Sequence, residues 1–277
     1  MSARITVVGI GEDGLDGLIP KARGLIDEAE VLVGGERHLS KVPVGGEQRI
    51  DWDGDFDAVF DKIEKIKDCR VVVLASGDPL HYGVGVNIVR RFGADQVNVI
   101  PAPGAFSLVA ADLGWPLADV KCLTVHGRAL EAVTLYLTPG RRLLVLSWDG
   151  ETPEKLAGLL TARGFGPSRI TVLGNLGGDD ETRTEGTAEK WTGETVPDLN
   201  TIAVECVVGD GADVLSRVPG LPDDAFEHDG LITKREVRAA TLARLMPLPG
   251  QTLWDVGAGS GAVAIEWLRA EPSAKAF

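Results

Sequence analysis

The sequence predicts an α/β protein of two lobes, beginning with a mostly parallel sheet that carries helices on both faces. Two observations carry this expectation. Short apolar runs rich in β-branched residues alternate with stretches of helical periodicity, joined by short connections. Most of those runs stop at glycine-bearing turns, where open α/β sheets hold their ligands. The rest of the chain is organised around residues 71–85 (VVVLASGDPLHYGVG). Residues 71–74 read as a buried strand, and the turn Ala75-Ser76-Gly77-Asp78-Pro79 follows. Gly77 permits a backbone shape other residues resist, and Pro79 fixes its own φ. A helix with Val84, Ile88 and Phe92 on one side comes next.

Composition sets the limits. The chain has 277 residues, 44% hydrophobic and 25% charged, as expected for a globular protein of one large or two smaller domains. No apolar run reaches the length of a bilayer span and no signal-peptide pattern opens the chain, so a cytoplasmic protein without a membrane partner is expected. Cys69, Cys122 and Cys206 lie far apart in or beside strand-like runs, which reads as buried thiols with neither disulfides nor a metal site. The net charge of -13 repels phosphate backbones and argues against nucleic acid. An acidic small molecule would need a locally basic pocket.

In order, residues 4–8 form a first strand that runs into Gly9-Ile10-Gly11-Glu12-Asp13-Gly14. The spacing is G-x-G-x-x-G, but Glu12 and Asp13 would repel a pyrophosphate, so a turn closing on a less anionic ligand is expected. Residues 18–29 read as a helix with Pro20 in its first turn. Strand 31–33 leads to the turn Gly34-Gly35-Glu36-Arg37-His38, and 55–67 is an amphipathic helix placing Phe56, Val59, Phe60, Ile63 and Ile66 on one face. A strand at 97–100 precedes the loop PAPGAFS (101–107), which opens a helix ending at Gly114-Trp115-Pro116. Strand 120–125 stops at His126-Gly127-Arg128, and the chain is expected to cross into the second lobe over 128–138. That lobe reads as strand 143–147, turn Trp148-Asp149-Gly150, helix 153–163, strand 170–173, the loop Asn175-Leu176-Gly177-Gly178, a solvent-facing strand 181–187 and a buried strand 201–207.

From 209 to 224 the pattern dissolves into Gly, Pro and Asp, as in a linker. A helix at 234–245, a strand at 252–256 and the loop DVGAGSG (255–261) opening a helix then begin a new unit. About fifty residues fall short of a domain of typical size. The expected organisation is therefore a domain over 1–208 (lobes about 1–127 and 128–208), a linker at 209–224, and an incomplete domain over 225–277.

The loops GIGEDG (9–14), SGDPLHYG (76–83), PAPGAFSLVAADLGWP (101–116), HGR (126–128) and NLGGDDE (175–181), in this order, resemble the tetrapyrrole methylase family over about three quarters of the chain. GGERHL (34–39) and the trailing DVGAGSG narrow the likeness to members with a second, fused methyltransferase domain of Rossmann type. The resemblance implies two α/β lobes with S-adenosylmethionine in the cleft between them and S-adenosylhomocysteine as product. It implies cofactor contacts from Gly9, Gly11, Ser76, Gly77, Asp78, His81, Phe106, Ser107, Ser147, Trp148 and Leu176. Glu12 stands where the family often has proline. In the trailing unit Asp255, Gly257, Gly259 and Gly261 resemble the first cofactor motif of Rossmann-type methyltransferases.

The activity implied is methylation of a bridging carbon of a corrin intermediate in cobalamin biosynthesis. A complete second domain would methylate another carbon and remove an acetate carboxyl as carbon dioxide, so this chain is expected to perform at most the first step. The reactive group belongs to the cofactor, so no nucleophilic triad or metal cluster is required. Where a base is wanted, His81, Tyr82 and His126 are the candidates. Arg37, His38 and Arg128 are placed to meet the carboxylates of the substrate, Arg as a bidentate fork. The family also implies a homodimer or higher homo-oligomer. The rival readings are a methylase for another corrin or porphyrin intermediate, a non-catalytic S-adenosylmethionine-binding protein, and a nicotinamide-dependent oxidoreductase. The last needs an acidic residue ending strand two, where Val33-Gly34-Gly35 offers none.

Overall fold

The computed structural model describes residues 4–277 except 53, 194 and 213. The first sheet holds β1 (Ile5–Ile10), β2 (Val31–Gly34), β3 (Gln48–Asp51), β4 (Val71–Ser76) and β5 (Val97–Ile100), in the order β3-β2-β4-β1-β5. Every pairing in it is parallel. β1 and β4 are central and buried on both faces except at Ser76, as their largely apolar, Val-rich sequences demand. On one face α3 (Phe56–Lys65) and α4 (Gly85–Phe92) press Val59, Phe60, Ile63 and Ile88 onto the sheet. The Asp55 carboxylate caps α3 by accepting from Ala58 N–H. On the other face α1 (Pro20–Asp27) buries Ala22 and Ile26. The basic turn after β2 is tighter than a turn: Glu36–Leu39 forms the short helix α2.

The second sheet departs from the parallel pattern. It contains β6 (Val120–Thr124), β7 (Arg142–Leu146), β8 (Arg169–Gly174), β9 (Thr182–Thr187) and β10 (Asn200–Glu205), in the order β6-β7-β10-β8-β9. Only β6 and β7 run parallel; β10 inserts antiparallel between β7 and β8, and β9 folds back on β8 as a hairpin. α5 (Ala105–Leu113) covers one face with Phe106, Val109 and Ala110, packed on Leu144, Leu173 and Ala203. α6 (Thr152–Ala162) covers the other with Leu156 and Leu160.

The chain therefore changes sheets earlier than the expected 127/128 boundary. Gly114 ends α5 in a left-handed C-cap, Pro116 follows, and β6 pairs at once with β7. Residues 130–136 form a 3-10 turn within the second sheet's surroundings and not a crossover. Cys206 is buried, and burial pushes its thiol up to about 11; all three cysteines are free.

Beyond the sheets lie α7 (Arg235–Leu245), β11 (Thr252–Leu253), α8 (Ala262–Ala270) and β12 (Lys275–Ala276). The strand expected over 252–256 is only two residues long, paired parallel with β12. The expected linker is docked at several points among its described residues. Arg217 donates to the carbonyls of Arg269 and Ala270 at the C-terminal end of α8, where a cation is favoured. Leu221 is buried.

Candidate functional site

The parallel sheet ends three of its strands at one edge, and their turns interlock. Gly77 N–H donates to the carbonyl of Ile10 at 3.1 Å, and Ala102 N–H donates to the carbonyl of Gly77 at 3.1 Å. Gly77 holds φ +50°, the left-handed region that favours glycine. Gly9 is required by proximity: a Cβ there would lie 1.9 Å from the Gly77 carbonyl oxygen and 2.7 Å from Ala102 N. Beyond Gly77, Asp78 accepts from Leu80 N–H at 2.9 Å, leaving its other oxygen for further donors. The next turn carries Tyr82 at φ +61°, an uncommon value for a bulky residue.

A run of rings lines the region where the turns meet the second sheet. His81 stacks on Tyr82 with centroids 5.0 Å apart and lies 4.9 Å from Phe106. The Arg128 guanidinium sits 5.2 Å from the Tyr82 ring centre, a cation–π distance. His126 stacks on Trp148 at 4.9 Å, and Trp148 is 56% exposed despite its size. A 220 Å³ hollow is lined by Val125, Arg128, Leu130, Trp148, Asp149, Thr152 and Lys155. Leu176 packs on the cluster that contains Phe106, and Ser107 lies exposed in the first turn of α5. A hollow of 790 Å³ between α3 and α4, lined by Phe56, Asn87 and Arg90 among others, lies away from these turns. None of the expected site residues lines it.

A charged corner completes the edge. Arg37 and His38 of α2 meet the Ser76 hydroxyl, each at 2.9 Å, and Arg37 lies 3.1 Å from His38 Nε2. A guanidinium can only donate, so Nε2 accepts and the imidazole proton is assigned to Nδ1. That Nδ1 is buried without a hydrogen-bond partner. Burial first, then the charges of Arg37 and Lys41, push the His38 pKa from its ordinary 6.5 down to about 4. Arg37 also donates to Glu12, and Lys41 donates to the other Glu12 oxygen at 2.9 Å.

The depressed pKa fixes a pH dependence. Unfolded, His38 takes a proton near 6.5, whereas folded it resists until about 4, so its contribution to stability is complete above 6.5 and is lost as pH falls between them. The loss is expected to reach up to about 3 kcal/mol. Urea midpoints measured from pH 7 to pH 4 should fall less steeply in His38→Gln; an unchanged slope would mean that His38 is not held neutral.

Most of the expected site residues thus converge. Gly9, Gly11, Ser76, Gly77 and Asp78 lie in or flank the interlocked turns. His81, Tyr82, Phe106, His126, Arg128 and Trp148 form the ring-lined wall. Ser147 does not present its hydroxyl: it is buried and donates to Asn200 Oδ1, while Asn200 Nδ2 donates to the carbonyls of Asp149 and Pro197. This shapes the turn that carries Trp148. Asp255, Gly257, Gly259 and Gly261 stand apart, in the turn after β11, with the three glycines left-handed. Sequence reasoning missed Lys41 and Asn200. Lys41 sits beyond a helix too short to predict, and Asn200 begins a strand as an ordinary polar residue.

Comparison with known proteins agrees with this geometry. Residues 4–191 match the tetrapyrrole (corrin/porphyrin) methylases, and residues 224–277 match the precorrin methyltransferase domain. A Sinorhizobium sp protein named precorrin-6Y C(5,15)-methyltransferase [decarboxylating] is 45% identical over 279 residues, covering 100% of this chain and 67% of the relative. The cobalt-precorrin-7 C(5)-methyltransferase of Salmonella typhimurium is 37% identical over 179 residues, covering 64% of this chain and 87% of its own. Among solved structures, the precorrin-6Y methylase of Archaeoglobus fulgidus superposes with a TM-score of 0.57 at 27% identity, covering 74% of this chain and 98% of its own. The uroporphyrin-III C-methyltransferase of Thermus thermophilus, solved with S-adenosylhomocysteine, gives 0.58 at 21% identity, covering 73% and 92%, a likeness of fold alone. With the family match spanning the first sheet, four strands of the second and every interlocked turn, the chain belongs to the tetrapyrrole (corrin/porphyrin) methylases.

Proposed function

We propose that this chain methylates a bridging carbon of precorrin-6Y, using S-adenosylmethionine held between the two sheets. The supporting observation is the convergence of turns from both sheets on one edge. The second-sheet loop reaches the first turn there: a Cβ on Gly178 would stand 3.0 Å from Glu12 Cβ. The residues fit such a cofactor. Glycines at 9 and 77 let the turns close on one another, backbone against backbone, and Phe106 with Leu176 offers an apolar wall. The Asp78 carboxylate can accept from amino or hydroxyl groups. S-adenosylmethionine supplies the electrophilic methyl group.

The remaining work falls to the chain's own side chains. Holding two ligands at attack distance can lower the barrier by roughly 7–11 kcal/mol without a nucleophile. Arg128, spread over the Tyr82 ring, is oriented to fork onto a substrate carboxylate. The proton lost from the methylated carbon requires an acceptor, and the exposed imidazoles of His81 and His126 flank Arg128's wall. His38 is a poor base at neutral pH because its proton affinity is already suppressed. We assign the methylase cleft to 4–208 and a separate unit to the residues beyond the docked segment 209–224, whose glycine turn is a second candidate cofactor site.

The test is calorimetric binding of S-adenosylhomocysteine to the chain and to Gly77→Trp. Binding should be lost in the variant while Gly24→Trp, where an added Cβ meets nothing within 4 Å, keeps it, because a side chain on left-handed Gly77 would stand 2.7 Å from Gly104 Cα and displace the loop. Transfer of labelled methyl from S-adenosylmethionine to precorrin-6Y should fall with it. Binding that ignores the substitution would place the cofactor elsewhere and remove the reading.

A further inference from the structure

The geometry points to Glu12 as an internal stand-in for a substrate carboxylate: it occupies a seat made by Arg37 and Lys41, and a polycarboxylate substrate binds by displacing it. This rests on the proposed methylase function and adds a specificity device to it.

The seat has the form an incoming carboxylate would use. Glu12 gives one oxygen to Arg37 and the other to Lys41, so a single carboxylate bridges two cations. Lys41 also donates to the backbone carbonyl of Glu12 at 3.2 Å, a bond that stays when the side chain leaves. The three residues follow β1 and β2, while Ser76, which Arg37 also contacts, ends β4. β2, β4 and β1 are successive neighbours in the sheet, so the seat lies on the edge that carries the cofactor turns. The seat is entered from the Arg37 side: that side chain is 39% exposed, while Lys41 at 16% and Glu12 at 17% lie deeper.

Charge explains why a stand-in is useful. In a chain of net charge -13, two cations side by side attract any of the chain's own carboxylates. Glu12 satisfies them in the absence of substrate and keeps them from other partners. Being tethered, it competes at an effective concentration in the millimolar range or above. A lone carboxylate cannot match that, whereas a ligand anchored by further carboxylates, as at Arg128, presents its own tethered group. The exchange therefore selects for ligands carrying several carboxylates.

Uroporphyrin III, a polycarboxylate tetrapyrrole with its own fluorescence, is the probe. Titrations would compare the parent chain with Glu12→Gln, Glu12→Ala and Lys41→Gln, each also tested for S-adenosylhomocysteine binding. Both Glu12 variants should bind the porphyrin about tenfold tighter and become sensitive to competing acetate, while Lys41→Gln should bind about tenfold weaker. If Glu12 merely organises the two cations, its removal will instead weaken binding. Porphyrin affinity equal to or below the parent's in both Glu12 variants, including no binding by any chain, overturns the inference. Tightening in those variants together with a parent that binds no S-adenosylhomocysteine would remove the methylase reading and leave the carboxylate seat standing.

Discussion

Gly9→Ala is expected to melt well below the parent chain and to lose S-adenosylhomocysteine binding. The new methyl group would fall 1.9 Å from the Gly77 carbonyl oxygen and 2.7 Å from Ala102 N, and both neighbours are backbone. Neither can rotate away as a side chain end would. The Ala102 N–H to Gly77 carbonyl bond lies across the same contact, so moving the strands apart breaks it. Overpacking of this kind costs about 3 kcal/mol or more when backbone must shift. Gly24→Ala is the matched control. Gly24 lies inside α1 with nothing within 4 Å of an added Cβ. The same chemical change there should stabilise by up to about 1 kcal/mol through helix propensity. Thermal melts and calorimetry on the two variants give opposite signs if the interlock is real. A Gly9→Ala chain that melts and binds like the parent would mean that the turns are not in contact.

These glycines show what the sequence makes legible. The strand ends and the turn at Gly77 are local events, written in β-branched runs and in residues that allow unusual φ. The aromatic wall followed from family resemblance on short motifs, and its residues do converge. The antiparallel insertion of β10 was not legible, because strand partners are chosen by tertiary packing while the apolar pattern of 201–207 suits either direction. Nor was the charged corner. Glu12 is 25 residues from Arg37 and 29 from Lys41, and no local period links turns after different strands. Ser147 reads as an exposed polar residue at a strand end, yet its hydroxyl is consumed by Asn200, 53 residues away. Motif likeness located the turn correctly but could not say which side chain in it faces outward.

The second large effect is expected from Glu266→Ala, in the unit beyond the sheets. Glu266 is 1% exposed and its partner Arg238 0%. The guanidinium donates to Glu266 at 3.0 Å, to Asp223 at 2.7 Å and to the carbonyls of Leu221 and Thr233. Glu266 in turn accepts from the N–H groups of Gly220 at 2.6 Å and Leu221 at 3.0 Å. One ion pair thus ties α7 and α8 to the end of the docked segment. Exposed pairs such as Lys155 with Glu151 contribute little, because water competes for both charges. Removing Glu266 is different: Arg238 keeps Asp223, but the guanidinium Nε and the N–H groups of Gly220 and Leu221 lose their buried acceptor, at about 1–3 kcal/mol for each group left unsatisfied. Amide hydrogen exchange should therefore show α7 and α8 losing protection. The two large sheets should keep theirs, and S-adenosylhomocysteine should still bind the cleft. Glu266→Gln, which keeps an acceptor for those N–H groups, should lose less protection than Glu266→Ala. Loss of protection in both sheets at once would instead make the molecule a single cooperative unit, and the division at 209–224 would fall.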